Sequence, residues 1–203
     1  MQLVKNKIIL SPTDLNKYLA CKHYINLEKE RLINNQDKLE FKNLLFEILA
    51  EKGLLHENNY FKFLKTMFKD ISVVSETQNN DEKIQLTFDA FKSNANVIYH
   101  PFLMSENWIA VPDFFIRDSV NNEYIVVDAK LKKTLVPEHV YQSVMYALIA
   151  EDIFKINITK AKIISPTDKN KNFVEHDFLV KDYASDVKEK MSELEKYIVD
   201  THE

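Results

Sequence analysis

The sequence predicts an α/β fold in which a mixed central β-sheet is flanked by helices. Three features of the 203 residues support this class. Apolar residues recur at helical spacing over residues 1–95, short strand-like runs follow Asn96, and helices then alternate with strands. This order is typical of a layered α/β or α+β sandwich. We expect a single domain with a mostly helical part (1–95), a sheet core (96–182) and a C-terminal helix (183–203).

The N-terminal part begins with a clear helix start. Ser11 is a suitable cap, Pro12 fits the first helical position and Asp14 fits the first turn. This pattern predicts a helix to about Cys21, and a further helical stretch follows to about Leu32.

A third helical segment is expected from Asp37 to Lys69. The apolar residues at helical spacing in its first half are Phe41, Leu44, Leu45, Ile48 and Leu49. Gly53, the only glycine of the chain, is expected to mark a break in this segment or a close contact.

The remaining elements follow from shorter patterns. They are a strand at 71–75, a helix at 82–94, strands at 96–100, 102–105, 108–116 and 123–131, a helix at 137–152, and strands at 160–165 and 172–180. The last is an amphipathic helix with Tyr183, Val187, Met191, Leu194 and Ile198 on one stripe.

Composition excludes several functional classes. A P-loop, a dinucleotide fingerprint and a G-x-S-x-G elbow each need at least two glycines. The single cysteine excludes a disulfide framework and a cysteine-rich zinc site within this chain. No apolar run is long enough to span a membrane and the start does not resemble a signal peptide, so a cytoplasmic location is expected. The net charge of −4 argues weakly against a uniformly basic DNA-binding surface.

Two neighbouring strands carry acids in otherwise apolar sequence: Asp113 in one, and Asp128 with Lys130 in the other. Directly opposed residues of a hairpin have numbers with a constant sum. A sum of 241 places Asp113 opposite Asp128, whereas a sum of 243 places it opposite Lys130, and both put the three side chains on one face. Two carboxylates this close need a proton or a cation, and Mg²⁺ is commonly held by carboxylates. Lys130 is then placed to polarise a water or to offset phosphate charge.

A salt bridge among these groups on a solvent-facing sheet is the simpler interpretation, because D-x-K alone is a weak pattern. Two further features favour a site. Gln142 and Tyr146 share one face of the helix that follows Lys130, where they can bind phosphate oxygens or stack on a base. His56, beside two leucines, is either a packed core histidine or a third metal ligand.

Together these motifs resemble those of the PD-(D/E)XK nuclease superfamily and, within it, the RecB-like branch. The residues that match the family's histidine, PD, D/E-x-K and Q-x-x-x-Y motifs are His56, Pro112-Asp113, Asp128-Ala129-Lys130, and Gln142 to Tyr146, in the family's order. The segment "LSPTDLNKYLACKHYINLE" (10–28) is also similar to the opening of bacterial RecB-like nucleases.

The resemblance implies a restriction-endonuclease-like core and Mg²⁺- or Mn²⁺-dependent hydrolysis of phosphodiester bonds in DNA. The implied roles are metal binding by His56, Asp113, Asp128 and the Ala129 carbonyl, catalysis by Lys130 with both aspartates, and DNA contact by Gln142 and Tyr146. Many relatives hold an iron–sulfur cluster with one N-terminal and three C-terminal cysteines. Cys21 stands at the first position and no later cysteine exists, so no cluster is expected within this chain and Cys21 is expected to be a small buried residue.

The leading hypothesis is a metal-dependent DNA exonuclease of recombination, repair or defence. A helicase or another recombination protein is the partner class that the resemblance suggests, and no membrane is expected. Two alternatives stay open: a non-catalytic nucleic-acid-binding module on a nuclease scaffold, and an endonuclease of the same fold. The missing cluster cysteines favour the module, whereas the presence of every expected catalytic residue argues against it.

Overall fold

The computed structural model describes residues 1–37, 43–75, 77–167 and 173–200, and its central element is a six-stranded mixed sheet with helices on both faces. The α/β class expected from the sequence is therefore confirmed. In the described ranges the helices are α1 (Pro12–Ala20), α2 (Lys22–Ile33), α3 (Leu44–Met67), α4 (Asn80–Lys92), α5 (Pro137–Phe154) and α6 (Lys181–Asp200). None of these helices is long and apolar enough to cross a membrane.

The strands of the described ranges form one large sheet and two small hairpins. They are β1 (Gln2–Val4), β2 (Lys7–Ile9), β3 (Ile71–Val73), β4 (Val97–Tyr99), β5 (Leu103–Met104), β6 (Ile109–Ala110), β7 (Phe114–Asp118), β8 (Glu123–Ala129), β9 (Lys160–Pro166) and β10 (Phe173–Leu179). The large sheet has the order β10-β9-β8-β7-β4-β3, in which β8–β9 and β3–β4 are parallel and the other pairs antiparallel.

The N-terminal helices agree with the sequence pattern. The Asp14 carboxylate accepts hydrogen bonds from both the amide and the hydroxyl of Ser11, which fixes the start of α1. Cys21 is the single residue between α1 and α2, and its side chain is exposed. The expectation of a buried Cys21 was wrong because an extended residue at a corner between two helices has no core to enter.

Helix α3 is shorter than the segment expected from Asp37 to Lys69, and it continues through Gly53 without a break. A side-chain carbon added at Gly53 would meet Leu131 at 3.9 Å, which is an ordinary contact, so the glycine marks neither a kink nor a close approach. Phe41 lies outside the described residues.

The run expected as one strand at 108–116 is divided into β6 and β7, which belong to different sheets. Pro112 lies between them, and proline cannot donate to a strand ladder. Helix α4 begins two residues earlier than expected because the Asn79 side chain accepts hydrogen bonds from the amides of Asp81 and Glu82. Asn172, the first residue of the expected last strand, lies outside the described residues.

The two faces of the sheet bury separate apolar clusters. On one face Phe114 and Val127 pack with Tyr60 and Leu64 of α3. On the other face Phe115 and its neighbours pack with α4, α5 and α6. The ends of β4, β7 and β8 therefore lie between α3 on one side and α5 on the other.

Candidate metal centre

The candidate centre lies at one end of three adjacent interior strands, where β4 and β8 finish and β7 begins. The register of β7 and β8 pairs Phe114 with Val127, so the sum of 241 is confirmed and Asp113, just before β7, faces Asp128. On its other side the Asp113 carbonyl accepts a 2.9 Å hydrogen bond from the amide of His100, which follows β4. His100, Asp113 and Asp128 thus form one row across three strands.

Asp113 occupies the middle of this row and is held by backbone. Its Oδ2 accepts a 2.7 Å hydrogen bond from the Ala129 amide. Burial and the charge of Asp128 raise the pKa of Asp113 well above its usual range, and the Lys130 ammonium offsets only part of this. When both are ionised, Asp113 and Asp128 therefore carry more negative charge than the Lys130 ammonium neutralises.

Asp128 is the most buried acid of the centre, at 1% exposure, and Lys130 Nζ lies 2.6 Å from its Oδ2. Burial alone lowers the pKa of Lys130, but the charges of Asp128 and Asp113 raise it above its ordinary value. Within the described ranges, neither carboxylate oxygen of Asp128 accepts a hydrogen bond of ordinary geometry. A buried carboxylate that is ion-paired through one oxygen and has no partner at the other is well suited to a further cation.

Glu57 approaches the row from α3. Its Oε1 accepts hydrogen bonds from the Tyr99 hydroxyl at 2.6 Å and from His100 Nε2, as the donor, at 2.7 Å. Burial alone raises the pKa of Glu57, but these hydrogen bonds and the charges of His100 and Lys130 lower it below its ordinary value. Glu57 is therefore held ionised beside Asp113.

Glu57, His100 and Asp113 each offer one ligand atom, and these three atoms lie within 4.8 Å of one another. Ligands on opposite sides of Mg²⁺ are about 4 Å apart, because each bond measures about 2.1 Å. Small side-chain movements would therefore bring all three onto one ion. Carboxylate oxygens suit Mg²⁺ and Mn²⁺, whereas an imidazole ligand favours transition metals, so the residues present fit Mn²⁺ better than Mg²⁺.

His56 contacts a different part of the centre from the one expected. Its Nε2 lies 3.0 Å from the Ile164 carbonyl oxygen of β9, the same oxygen that accepts the Lys130 amide at 2.9 Å. His56 is buried and packs against Phe173. It does not belong to the three-residue cluster found among the described residues. Its role as a metal ligand stays a prediction.

Helix α5 covers the opposite side of the row. Tyr146 is 5% exposed and its hydroxyl accepts a 2.6 Å hydrogen bond from Gln142 Nε2. Burial, followed by the charges of Asp128 and Asp113, raises the pKa of Tyr146 well above its ordinary value. Gln142 is partly exposed, so it is the member of this pair that a substrate can reach.

One turn nearer the start of α5, His139 shares the helical face of Gln142 and Tyr146. Its Nδ1 is buried and has no hydrogen-bond partner among the described residues. Burial and the nearby charge of Lys130 lower the pKa of His139. The surroundings of His139 therefore favour its neutral imidazole.

Three residues of the centre were missed by sequence reasoning: Glu57, His100 and His139. Glu57 directly follows His56 on α3, and a helix that aims one residue at the ends of the strands also brings the next one close. His100 directly follows β4, and Asp113 directly precedes β7. A correct pairing of β4 with β7 would therefore have placed the two residues side by side. His139 has the i, i+3 and i+7 spacing with Gln142 and Tyr146.

No protein-family model and no curated protein matches the chain. The chain is similar to a solved structure described as "Crystal structure of SSO0001", with 15% identity over 91% of this chain and 76% of that one, at a TM-score of 0.38. The class that the fold itself defines is a mixed α/β protein with a carboxylate-rich centre at the edge of its sheet.

Proposed function

We propose that this protein is a Mg²⁺- or Mn²⁺-dependent DNA nuclease of the PD-(D/E)XK superfamily, RecB-like branch, with a restriction-endonuclease-like core. The observation that supports it most is the meeting of Asp113, Asp128 and Lys130 at one edge of the sheet, with Asp113 fixed by the Ala129 amide. These are the PD and D/E-x-K residues of the sequence motifs. Recombination, repair or defence, a helicase partner and a cytoplasmic location remain part of this proposal.

Asp113 is the shared ligand of the proposed metal, with Asp128 and the Ala129 carbonyl on one side. Glu57 and His100 stand on the other side, within reach of the same position. A divalent ion held here supplies Lewis acidity and lowers the pKa of water. His56 holds the Ile164 carbonyl, and through it the backbone at Lys130, in place.

Lys130 and the residues of α5 act on the substrate. The Lys130 ammonium, 22% exposed, is positioned to orient the attacking water and to stabilise charge on the phosphate oxygens. Gln142 donates to a phosphate or base, and Tyr146 holds its side chain. A direct contact between Tyr146 and DNA stays a prediction. The exposed Lys132 and Lys133 lie on the loop between β8 and α5, close to where the phosphate backbone would enter.

One observation favours the alternative of a non-catalytic nucleic-acid-binding module. Lys130 already pairs with Asp128 at 2.6 Å, so one of the three carboxylates is neutralised without a metal. The two candidate functions differ in one measurable result, because a nuclease cleaves DNA and a binding module binds it without cleavage.

The test is incubation of the protein with end-labelled single- and double-stranded DNA, with Mn²⁺ or with a chelator. The proposal predicts cleavage that needs the metal and is lost in Asp113→Asn and Lys130→Met, whereas the distant Asp118→Asn remains active. Stepwise shortening from one end identifies an exonuclease, and discrete internal fragments identify an endonuclease of the same fold. Binding without cleavage under all these conditions would replace the proposal by the binding module.

A further inference from the structure

The N-terminal half of α3, residues 44–55, is called the arm here, and it is exposed along almost its whole length. His56 and Glu57 are the residues of α3 that reach the ends of the strands. Each earlier residue lies about 1.5 Å further along the helix axis, so the arm extends about 18 Å beyond this edge. The arm therefore projects from the body of the protein beside the candidate metal centre.

The arm is apolar although it is exposed. Its large apolar residues are 39% to 71% exposed: Leu44, Leu45, Phe46, Ile48, Leu49, Leu54 and Leu55. None of them belongs to either apolar cluster of the described residues. A helix that is apolar around most of its circumference is normally buried, and a helix of this length is marginal in water without packing. Something other than the described part of this chain is therefore needed to cover the arm.

We propose that the arm is a dimerisation surface and that a second copy of this chain covers it, arm against arm. The available area supports this occupant. Each of these side chains exposes on the order of 100 Å², so the arm presents roughly 700 Å². A standard interface buries about 800 Å² on each partner, so two arms in contact, each burying one side of its helix, form an interface at the small end of the size range. Two copies of the arm supply matching apolar surfaces by symmetry.

Charge is also compatible with two arms in contact. The arm has only three charged residues, Glu47, Glu51 and Lys52, with a net charge of −1. Two such helices meet with little like-charge repulsion, because the charges are few and of both signs. The proposal does not depend on nuclease activity, since it rests on exposed apolar area alone.

Sedimentation velocity of the full chain tests the proposal, at about 1 to 100 μM, where an interface of this size is expected to associate. We expect a species of about twice the 23.9 kDa chain mass. The double variant Leu45→Glu/Leu49→Glu should sediment as a monomer that keeps most of its helical circular dichroism and unfolds cooperatively at a lower temperature, because both side chains are exposed in the single chain and only the contact between arms is lost. The matched control is Leu3→Glu/Val199→Glu, which changes two exposed apolar residues of another surface and should remain a dimer.

Cross-linking gives a second readout that does not depend on destabilising the arm. In a Cys21→Ser background, Leu49→Cys should form a covalent dimer with a short bismaleimide, because packed helices lie 8–10 Å apart. Val120→Cys, on the exposed turn between β7 and β8, should not. A wild type that sediments as a monomer throughout this range, or an arm variant that remains dimeric, would overturn the proposal.

Discussion

The Ala129 amide donates a 2.7 Å hydrogen bond to Asp113 Oδ2, so the acid that precedes β7 is fixed by the backbone at the end of β8. This bond orients Asp113 towards both Asp128 and the pair formed by Glu57 and His100. Asp113 is thereby held in position, between Asp128 and the pair of Glu57 and His100, before any ligand binds.

The stability of the metal-free protein should depend on pH through Asp113. Burial and Asp128 raise the pKa of Asp113 well above its usual range, so the folded state retains a proton that the unfolded state releases near pH 4. The contribution of Asp113 to the free energy of unfolding should be complete below about pH 4 and should fall as the pH rises through the elevated pKa. Urea unfolding with a chelator at a series of pH values measures this. Asp113→Asn should lose the slope and Asp118→Asn should retain it; equal slopes in all three proteins would contradict the buried-acid explanation.

Removing the Lys130 ammonium should destabilise the protein through Asp128. Lys130→Met leaves a carboxylate that is 1% exposed without its cation. We expect a loss of about 3 kcal/mol, the low end for a buried pair, because the ammonium is 22% exposed. Asp128→Asn/Lys130→Met should recover most of this loss in the same urea measurement. Additive losses in the double variant would show that the two groups are not energetically paired.

His100 and His56 should differ in their effect on metal binding. A ring nitrogen of His100 lies with ligand atoms of Glu57 and Asp113, whereas His56 Nε2 is bonded to the Ile164 carbonyl. His100→Ala should weaken Mn²⁺ binding about tenfold or more, and His56→Ala should mainly reduce the thermal unfolding temperature. Isothermal calorimetry and thermal unfolding on both variants distinguish the two roles. The reverse result would return the ligand role to His56, as the sequence motif suggests.

The hydrogen bond between Gln142 and Tyr146 should matter for substrate binding. Tyr146→Phe keeps the buried ring but removes the hydroxyl that holds Gln142 at 2.6 Å. DNA affinity, measured by fluorescence anisotropy with Ca²⁺ in place of Mn²⁺, should fall about tenfold in Gln142→Ala and by a smaller factor in Tyr146→Phe. Tyr141→Phe, on another face of the same helix, serves as the control. Unchanged affinity in both α5 variants would remove Gln142 from the substrate contact.

Much of the fold and the meeting of Asp113, Asp128 and Lys130 could be predicted from the sequence because both depend on short-range patterns. Alternating apolar residues located β8, and the asparagines at 121–122 located the turn but left two registers open, of which the structure has the one that pairs Asp113 with Asp128. Glu57 and His100 were not predictable in the same way. They meet only because β4 pairs with β7 while α3 crosses the ends of both, and neither contact leaves a local sequence signal. The exposed arm was missed for a related reason, since helical periodicity cannot tell which apolar face another part of the chain will cover.

The most direct measurement is calorimetric titration of the metal-free protein with Mn²⁺. A shared divalent ion at Asp113 predicts saturable binding that strengthens as the pH rises, because the ion replaces the proton on that carboxyl. Asp113→Asn should abolish binding, and Asp118→Asn at the other end of β7 should leave it unchanged. Absence of Mn²⁺ binding to the wild type, or equal binding to Asp113→Asn, would contradict a metal centre at this edge of the sheet.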